Sequence, residues 1–209
     1  MIPTKEEFTK ALASKHGKAL QEKLGKATVA VCGAGGLGSN ISIALARTGI
    51  GKLIIIDFDK VEITNLNRQQ YKVSQLGEYK AEALASNLKE IAPYVEVETH
   101  NILITAENAV ELLESADIIC EAFDKAENKA MLTNVVLEQL PEKYYVAGSG
   151  MAGLDSANNI KTRKLTEKFF LCGDTVSDIA TEESLVAPRV LLCAAHQAHT
   201  VVRIIAGES

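Results

Sequence analysis

Apolar residues along this chain switch between two patterns, short continuous runs and longer stretches with a period near 3.6, and that switching predicts the fold class before any motif is considered. The continuous runs lie at residues 27–32 (ATVAVC), 51–57 (GKLIIID), 116–122 (ADIICEA) and 144–149 (YYVAGS), with an alternating run at 95–99 (VEVET). Short, β-branched runs of this kind read as buried parallel strands. Between them, residues 39–48, 80–92, 105–114 and 125–140 carry helical spacing, the second of these stopped by Pro93. Strands alternating with helices predict an α/β fold, a Rossmann-like, doubly wound, mainly parallel sheet. In the last third the runs at 160–163 and 168–172 follow one another without a helix, which predicts a small antiparallel C-terminal extension. Residues 173–184 read as a polar surface loop and 187–206 as a closing helix, with Pro188 in its first turn where proline is tolerated. At the other end, residues 4–24 read as one amphipathic helix with Thr4 and Glu7 spaced as a capping box and Phe8, Leu12, Leu20 and Leu24 on one face. That face could pack on its own domain or on a partner subunit.

The first strand runs directly into Gly33-Ala34-Gly35-Gly36-Leu37-Gly38, a G-x-G-x-x-G turn that opens the first helix of the unit. A strand, a glycine turn and a helix N-terminus together form a phosphate site, because bare backbone approaches the anion and unpaired N–H groups point at it. The next strand ends in Asp57, a carboxylate suited to a ribose hydroxyl. Behind it, residues 57–70 bring together Asp57, Asp59, Glu62, Thr64, Asn65, Asn67, Arg68, Gln69 and Gln70. A nicotinamide slot is flat and mostly apolar and has no use for this polarity, whereas a triphosphate does. Arg68 offers a planar, permanently charged fork to phosphate oxygens, Asn65 and Gln69 offer neutral donors, and Asp57 or Asp59 can hold ribose or metal. A second G-x-G-x-x-G spelling, Gly148 to Gly153, is followed by turn-forming LDSANN rather than a helix. Those glycines read as structural, or as room for a narrow peptide tail.

Composition narrows the classes further. The chain has 209 residues, enough for one domain with a substantial core, and a formal net charge of −5. Acids and bases are interspersed, which argues against a nucleic-acid footprint. No run reaches the length of a membrane span; residues 190–206 are interrupted by His196, Gln197, His199 and Arg203. The first residues, MIPTKEEF, contain no apolar signal core, so a cytoplasmic address is expected. Cys32, Cys120, Cys172 and Cys193 are far apart with no C-x-x-C pair, so neither disulfides nor a four-cysteine zinc are expected. His196 and His199 lie three apart among apolar residues, and helix packing accounts for them better than metal binding does.

The run GAGGLGS, continued by LARTGIGKLIIIDFDKVEITNLNRQQ, resembles the signature of the ThiF/MoeB/HesA superfamily, relatives of ubiquitin-activating enzymes. Gly77-Glu78-Tyr79-Lys80 is similar to its glycine-x-x-lysine, and Ala122-Phe123-Asp124 to the segment bearing its catalytic aspartate. The short length and the phrases SGMAGLDSANNIKTRK and LVAPRV resemble most its compact ThiF-type branch, associated with thiamine-type sulfur carriers. The resemblance divides the chain into an N-terminal helical segment, 1–26, and an adenylation domain, 27–209. It implies an ATP- and Mg2+-dependent adenylyltransferase that activates the terminal glycine of a small ubiquitin-like sulfur carrier protein, working as a homodimer. It also implies roles: Arg68, Lys80 and Asp124 in catalysis; Gly33, Gly35, Gly36, Gly38, Asp57, Asn65, Arg68, Gln69 and Lys80 on the nucleotide; Asp124 on magnesium, with Asp59 as the second candidate.

The chain departs from the family in three places. No arginine precedes Arg47, so Lys15 is the nearest substitute for an arginine that family members bring from an N-terminal segment into the partner's site. The Asp-Asn pair is Asp124-Lys125, with Lys129 as the later basic residue. The crossover loop holds no cysteine; Cys172 stands at its edge after an apolar run and reads as a buried hydrophobe. Three rival functions stay open: a nicotinamide-dependent oxidoreductase, a non-catalytic carrier-binding scaffold, and adenylation of a small molecule or tRNA base.

Overall fold

The chain is described here from a computed structural model covering residues 2–178 and 184–208; residues 179–183 of the expected polar loop lie outside the described residues. Seven strands, β1 (Thr28–Cys32), β2 (Lys52–Ile56), β3 (Glu96–His100), β4 (Ile118–Glu121), β5 (Tyr144–Gly148), β6 (Lys161–Lys164) and β7 (Phe169–Gly173), form one sheet in the order β3-β2-β1-β4-β5-β7-β6. Every neighbouring pair is parallel except β6 with β7. The antiparallel extension expected from the sequence is therefore the edge strand β6 alone, since β7 joins β5 in parallel. The chain leaves β1 towards β2 on one side and returns to β4 on the other, which opens a crevice at the carboxyl ends of the central strands.

Both faces of the sheet are covered, and the period-two alternation of the strands divides the core in two. Val29 and Val31 of β1 and Leu53 and Ile55 of β2 face α3 (Gly36–Arg47), α4 (Lys80–Ile91) and the closing helix, here α7 (Ala187–Ala206). Ala30, Cys32, Ile54 and Ile56 face α5 (Ala109–Leu113) and α6 (Ala126–Gln139). Strands buried on both faces have no polar alternation to show, which is why they appear in the sequence as continuous apolar runs. The closing helix spans the residues expected, carries Pro188 in its first turn and ends at Gly207 in the left-handed conformation.

The single N-terminal helix expected over residues 4–24 is instead two, α1 (Lys5–His16) and α2 (Lys18–Leu24). They are broken at Gly17, whose φ of +92° a residue with a side chain rarely adopts. The reciprocal Thr4–Glu7 capping box does form, with the Thr4 amide 2.8 Å from the Glu7 carboxylate. Both helices pack on the same side of the core: Leu24 is buried in it, while Phe8 packs at its edge and meets Tyr94 edge-on. Gln21 of α2 donates to the Gly49 carbonyl just past the C-terminal end of α3. The N-terminal helices thus sit at the end of the molecule opposite the crevice, and Lys15 is not part of the same chain's crevice.

Gly38 is fixed by packing. A Cβ there would overlap the Gly33 carbonyl oxygen, a backbone atom that cannot step aside. Gly77 has a φ of +87° but open space around it. Gly38→Ala is expected to destabilise the fold by about 3 kcal/mol, as overpacking against backbone does, and Gly77→Ala by about 1 kcal/mol of backbone strain. Urea denaturation of the two variants measures the difference; equal losses would show that the contact at Gly38 is not what fixes that glycine.

Candidate functional site

A cleft of about 390 Å3 opens at the carboxyl ends of the central strands. The N-terminal ends of three helices meet there. None of α3, α4 and α6 has a side-chain hydrogen bond capping its N-terminus, which leaves first-turn amides of α3 and α6 for a ligand, while the Lys80 amide of α4 donates to the Asp59 carbonyl. Gly33, Gly35 and Gly36 line the cleft, and so do Asp57, Asp59, Arg68, Gln69, Lys80 and Asp124. Two of the residues singled out from the sequence do not. Gly38 lies inside the first turn of α3 and acts by letting that helix pack on Gly33. Asn65 is buried in a single turn of 3-10 helix, where its side chain accepts from the Glu62 amide at 3.0 Å and shapes the loop.

Each charged group is held by a definite partner. Asp57, nearly buried at the end of β2, accepts from the Ala34 amide at 2.6 Å and the Asp59 amide at 2.8 Å. Burial raises its carboxyl above the ordinary value, and the two amide donors and Lys80 oppose that shift. Lys80 opens α4, is 6 % exposed, and donates to Asp59 at 2.9 Å. Asp59 is therefore engaged by a cation, whereas Asp124 stands exposed at the mouth of the cleft after β4. Arg68 donates through Nη1 to the Thr64 carbonyl and the Asn67 side chain, at 3.1 and 2.8 Å.

The Arg68 turn is pinned along α3 by residues the sequence reading passed over. Asn40 donates to the Gly36 and Arg68 carbonyls and accepts from Gln70, while Ser39 accepts from the Gln70 amide. The signal for them was two polar residues at the start of an otherwise apolar helix. Gln69, 8 % exposed in the cleft wall, leaves its Oε1 buried and without a partner among the described residues.

Two buried ion pairs, neither foreseen as a pair, build the rest of the wall. Glu121 is 1 % exposed at the end of β4 and pairs with Lys129 of α6 at 2.9 Å. Burial raises the Glu121 carboxyl, with Lys129 pulling the other way. Glu121 also accepts from the Phe123 amide at 2.6 Å, which orients the turn carrying Asp124, and Lys129 donates to the Gly148 carbonyl. On the far side, Arg189 of α7 pairs with Asp174 and donates to the Ala152, Asp155 and Ser156 carbonyls. Phe58, Ile102 and Leu103, all partly exposed, add an apolar wall that the sequence reading did not assign.

The remaining candidates lie elsewhere. Cys172 is fully buried between β7 and α7 with Thr162 and Thr200 near its sulfur, and burial pushes its thiol up. His196 hydrogen-bonds Thr162 at 3.0 Å. Among the described residues no group of three or more His, Cys, Asp or Glu is placed to hold a metal, and no helix is long and apolar enough to cross a membrane.

Comparison with known proteins identifies the family and supports the fold. Residues 8–209 match the ThiF family. The chain is 38 % identical over 141 residues to the adenylyltransferase and sulfurtransferase MOCS3 of Aedes aegypti, covering 67 % of this chain and 32 % of that protein. It is 33 % identical over 139 residues to the sulfur carrier protein adenylyltransferase of Thermus thermophilus, covering 64 % and 51 %. The chain thus spans between a third and a half of the length of these curated relatives. Among solved structures, the E. coli tRNA N6-threonylcarbamoyladenosine dehydratase TcdA in complex with AMP superposes with a TM-score of 0.87 over 100 % of this chain and 98 % of that one. At 20 % identity that likeness is one of fold. With the family match extending over nearly its whole length, the chain belongs to the ThiF family.

Proposed function

We propose that this chain is an ATP-dependent adenylyltransferase whose acceptor is the C-terminal glycine carboxylate of a small ubiquitin-like sulfur carrier protein. The observation that carries the reading is the meeting of Arg68, Lys80 and Asp124 in one cleft with the uncapped N-termini of α3 and α6. A carboxylate oxygen of the carrier attacks the α-phosphorus of ATP, and the bond from that phosphorus to the bridging oxygen breaks. The products are a carrier acyl adenylate and pyrophosphate. An anion must approach a polyanion, so catalysis here consists of balancing charge and holding groups in line.

The residues divide that work. Gly33, Gly35 and Gly36 bring bare backbone to the phosphates, and Asp57 faces the ribose with lone pairs to spare beyond its two amide donors. Phe58, Ile102 and Leu103 provide an apolar surface for the base, with Gln69 in the wall beside the glycine loop. Arg68 and Lys80 stabilise the charge that gathers on the leaving pyrophosphate. Mg2+ fits this donor set, since it takes one or two protein carboxylates beside phosphate oxygens, and Asp124 is the side chain to hold it, Asp59 being engaged with Lys80. When bound, Mg2+ neutralises phosphate charge.

The name of the Thermus thermophilus relative supports the acceptor class, that of the Aedes aegypti relative supports adenylyl transfer, and the resemblance to the compact ThiF-type branch supports a carrier serving thiamine synthesis. The reading further takes the chain to act as a homodimer in the cytoplasm. It does not require a protein thiol, in keeping with the burial of Cys172.

The test is ATP–pyrophosphate exchange with Mg2+, with and without a glycine-terminated carrier. Exchange is expected to depend on the carrier and to fall by about 100-fold or more in Asp124→Ala, the size of loss seen when a transition-state charge partner is removed. ATP binding with no exchange for any carrier tried would overturn the acceptor, and binding of NAD in preference to ATP would overturn the nucleotide. Arg68→Lys keeps the charge but loses the planar fork, so exchange should drop by about tenfold. Wild-type exchange in that variant would show that Arg68 serves as a point charge only.

A further inference from the structure

We infer that Tyr71 is a positioning residue for the nucleotide phosphates, one whose hydroxyl sets the direction in which the glycine loop presents its backbone. The inference rests on the nucleotide reading above. Tyr71 belongs to the core cluster on the α3–α4 face and is 9 % exposed, so its ring needs no function to explain it. Its hydroxyl does. It donates to the Ala34 carbonyl at 2.6 Å and lies 3.3 Å from the Lys80 carbonyl, so one hydrogen faces two acceptors. Ala34 is the second residue of the loop, and its amide is held from the other side by Asp57 at 2.6 Å.

The consequence follows from the planarity of the peptide bond. The Ala34 carbonyl and the Gly35 amide are opposite ends of one rigid plane. Holding the carbonyl towards Tyr71, in the core, turns the Gly35 N–H the other way, and Gly35 lines the cleft. The same contacts close a ring. From Ala34 the bonds run to Asp57, from Asp57 to the Asp59 amide, from Asp59 to the Lys80 ammonium at 2.9 Å, and from the Lys80 carbonyl back through Tyr71 to Ala34. The ring ties the loop to the lysine that shares the phosphates with it. Burial, with Asp57 and Asp59 nearby, pushes the phenol far above its ordinary value, so the hydroxyl keeps the proton it donates. A phenylalanine at 71 would pack equally well and leave the Ala34 peptide plane without this anchor.

Tyr71→Phe therefore tests the hydroxyl alone. Tyr145→Phe is its control, since Tyr145 is also buried and bonds Thr133 at 3.1 Å, but on the α5–α6 side of the sheet and outside the cleft. Titration calorimetry with ATP, AMP and adenosine would be run on wild type and both variants, each checked for folding by circular dichroism. Y71F is expected to bind ATP and AMP about tenfold more weakly, the effect of losing one well-placed hydrogen bond, with adenosine within twofold of wild type. Amide exchange in the segment 33–38 should also quicken in Y71F. Y145F should leave all three affinities unchanged.

Unchanged ATP affinity in Y71F would overturn the inference. So would an equal loss for adenosine, or failure of Y71F to fold, because either marks a general structural contact. A wild-type chain that binds none of the three ligands would overturn the nucleotide reading itself, and this inference with it.

Discussion

The bond from the Ala34 amide to the buried Asp57 carboxylate, 2.6 Å long, is the contact on which the site depends. It joins the glycine loop after β1 to the end of β2, and both strands are buried on both faces. A carboxylate at so enclosed a position loses much of its hydration, and it is tolerated because two backbone amides replace the lost water. Asp57 therefore serves two ends at once. It fixes the loop, and it keeps negative charge at the cleft where a ribose hydroxyl would seek an acceptor.

Two lysines of the cleft are each held by an acid, whereas Arg68 is held by the Thr64 carbonyl and the Asn67 side chain. Lys80 is held by Asp59 and Lys129 by Glu121. Such pairs gain little net stability, since desolvation of both charges offsets most of their attraction. Their value lies in position. Lys80 donates its backbone amide as well as its ammonium to Asp59, so the first turn of α4 cannot rotate without breaking both. Glu121, through the Phe123 amide, fixes the turn that carries Asp124. Exposed Asp124 is thereby directed by a neighbour that is itself out of contact with solvent.

How far the site was legible in the sequence depended on whether its signal was local. The strands and the closing helix were, because apolar periodicity is a local property. Arg68, Lys80 and Asp124 were singled out from three separate segments, and the fold brings them to one cleft. Asn65 was expected at the nucleotide and instead shapes its own turn, as short polar side chains do when a nearby backbone donor competes for them. The break at Gly17 was hidden because Phe8, Leu12, Leu20 and Leu24 also fit one helix face, and nothing local says that Gly17 takes a positive φ. The pairing of Arg189 with Asp174 was illegible for a related reason: two charges in separate segments announce no partner until the sheet brings them together.

The two glycine turns make the same point from the opposite direction. Both are spelled G-x-G-x-x-G, and both line the cleft. The first enters a helix of twelve residues, so its glycines bring uncapped amides to the ligand. The second enters a loop. There a Cβ at Gly148 would come within 2.7 Å of Leu37, and one at Gly150 would overlap the Asp174 carboxylate. These glycines make room for protein, and Arg189 then ties the loop down through the carbonyls of Ala152, Asp155 and Ser156. The resulting wall shares the cleft with the first glycine loop, with the Asn67 side-chain amide reaching to the Leu185 carbonyl beside it. Much of the backbone on that side is engaged within the protein, the Ser149 amide with the Cys172 carbonyl and the Ala152 amide with Ser177. On that side the fold supplies shape, and on the other it supplies unpaired backbone donors. A carboxylate acceptor and a polyphosphate can share one cleft on those terms without competing for the same groups.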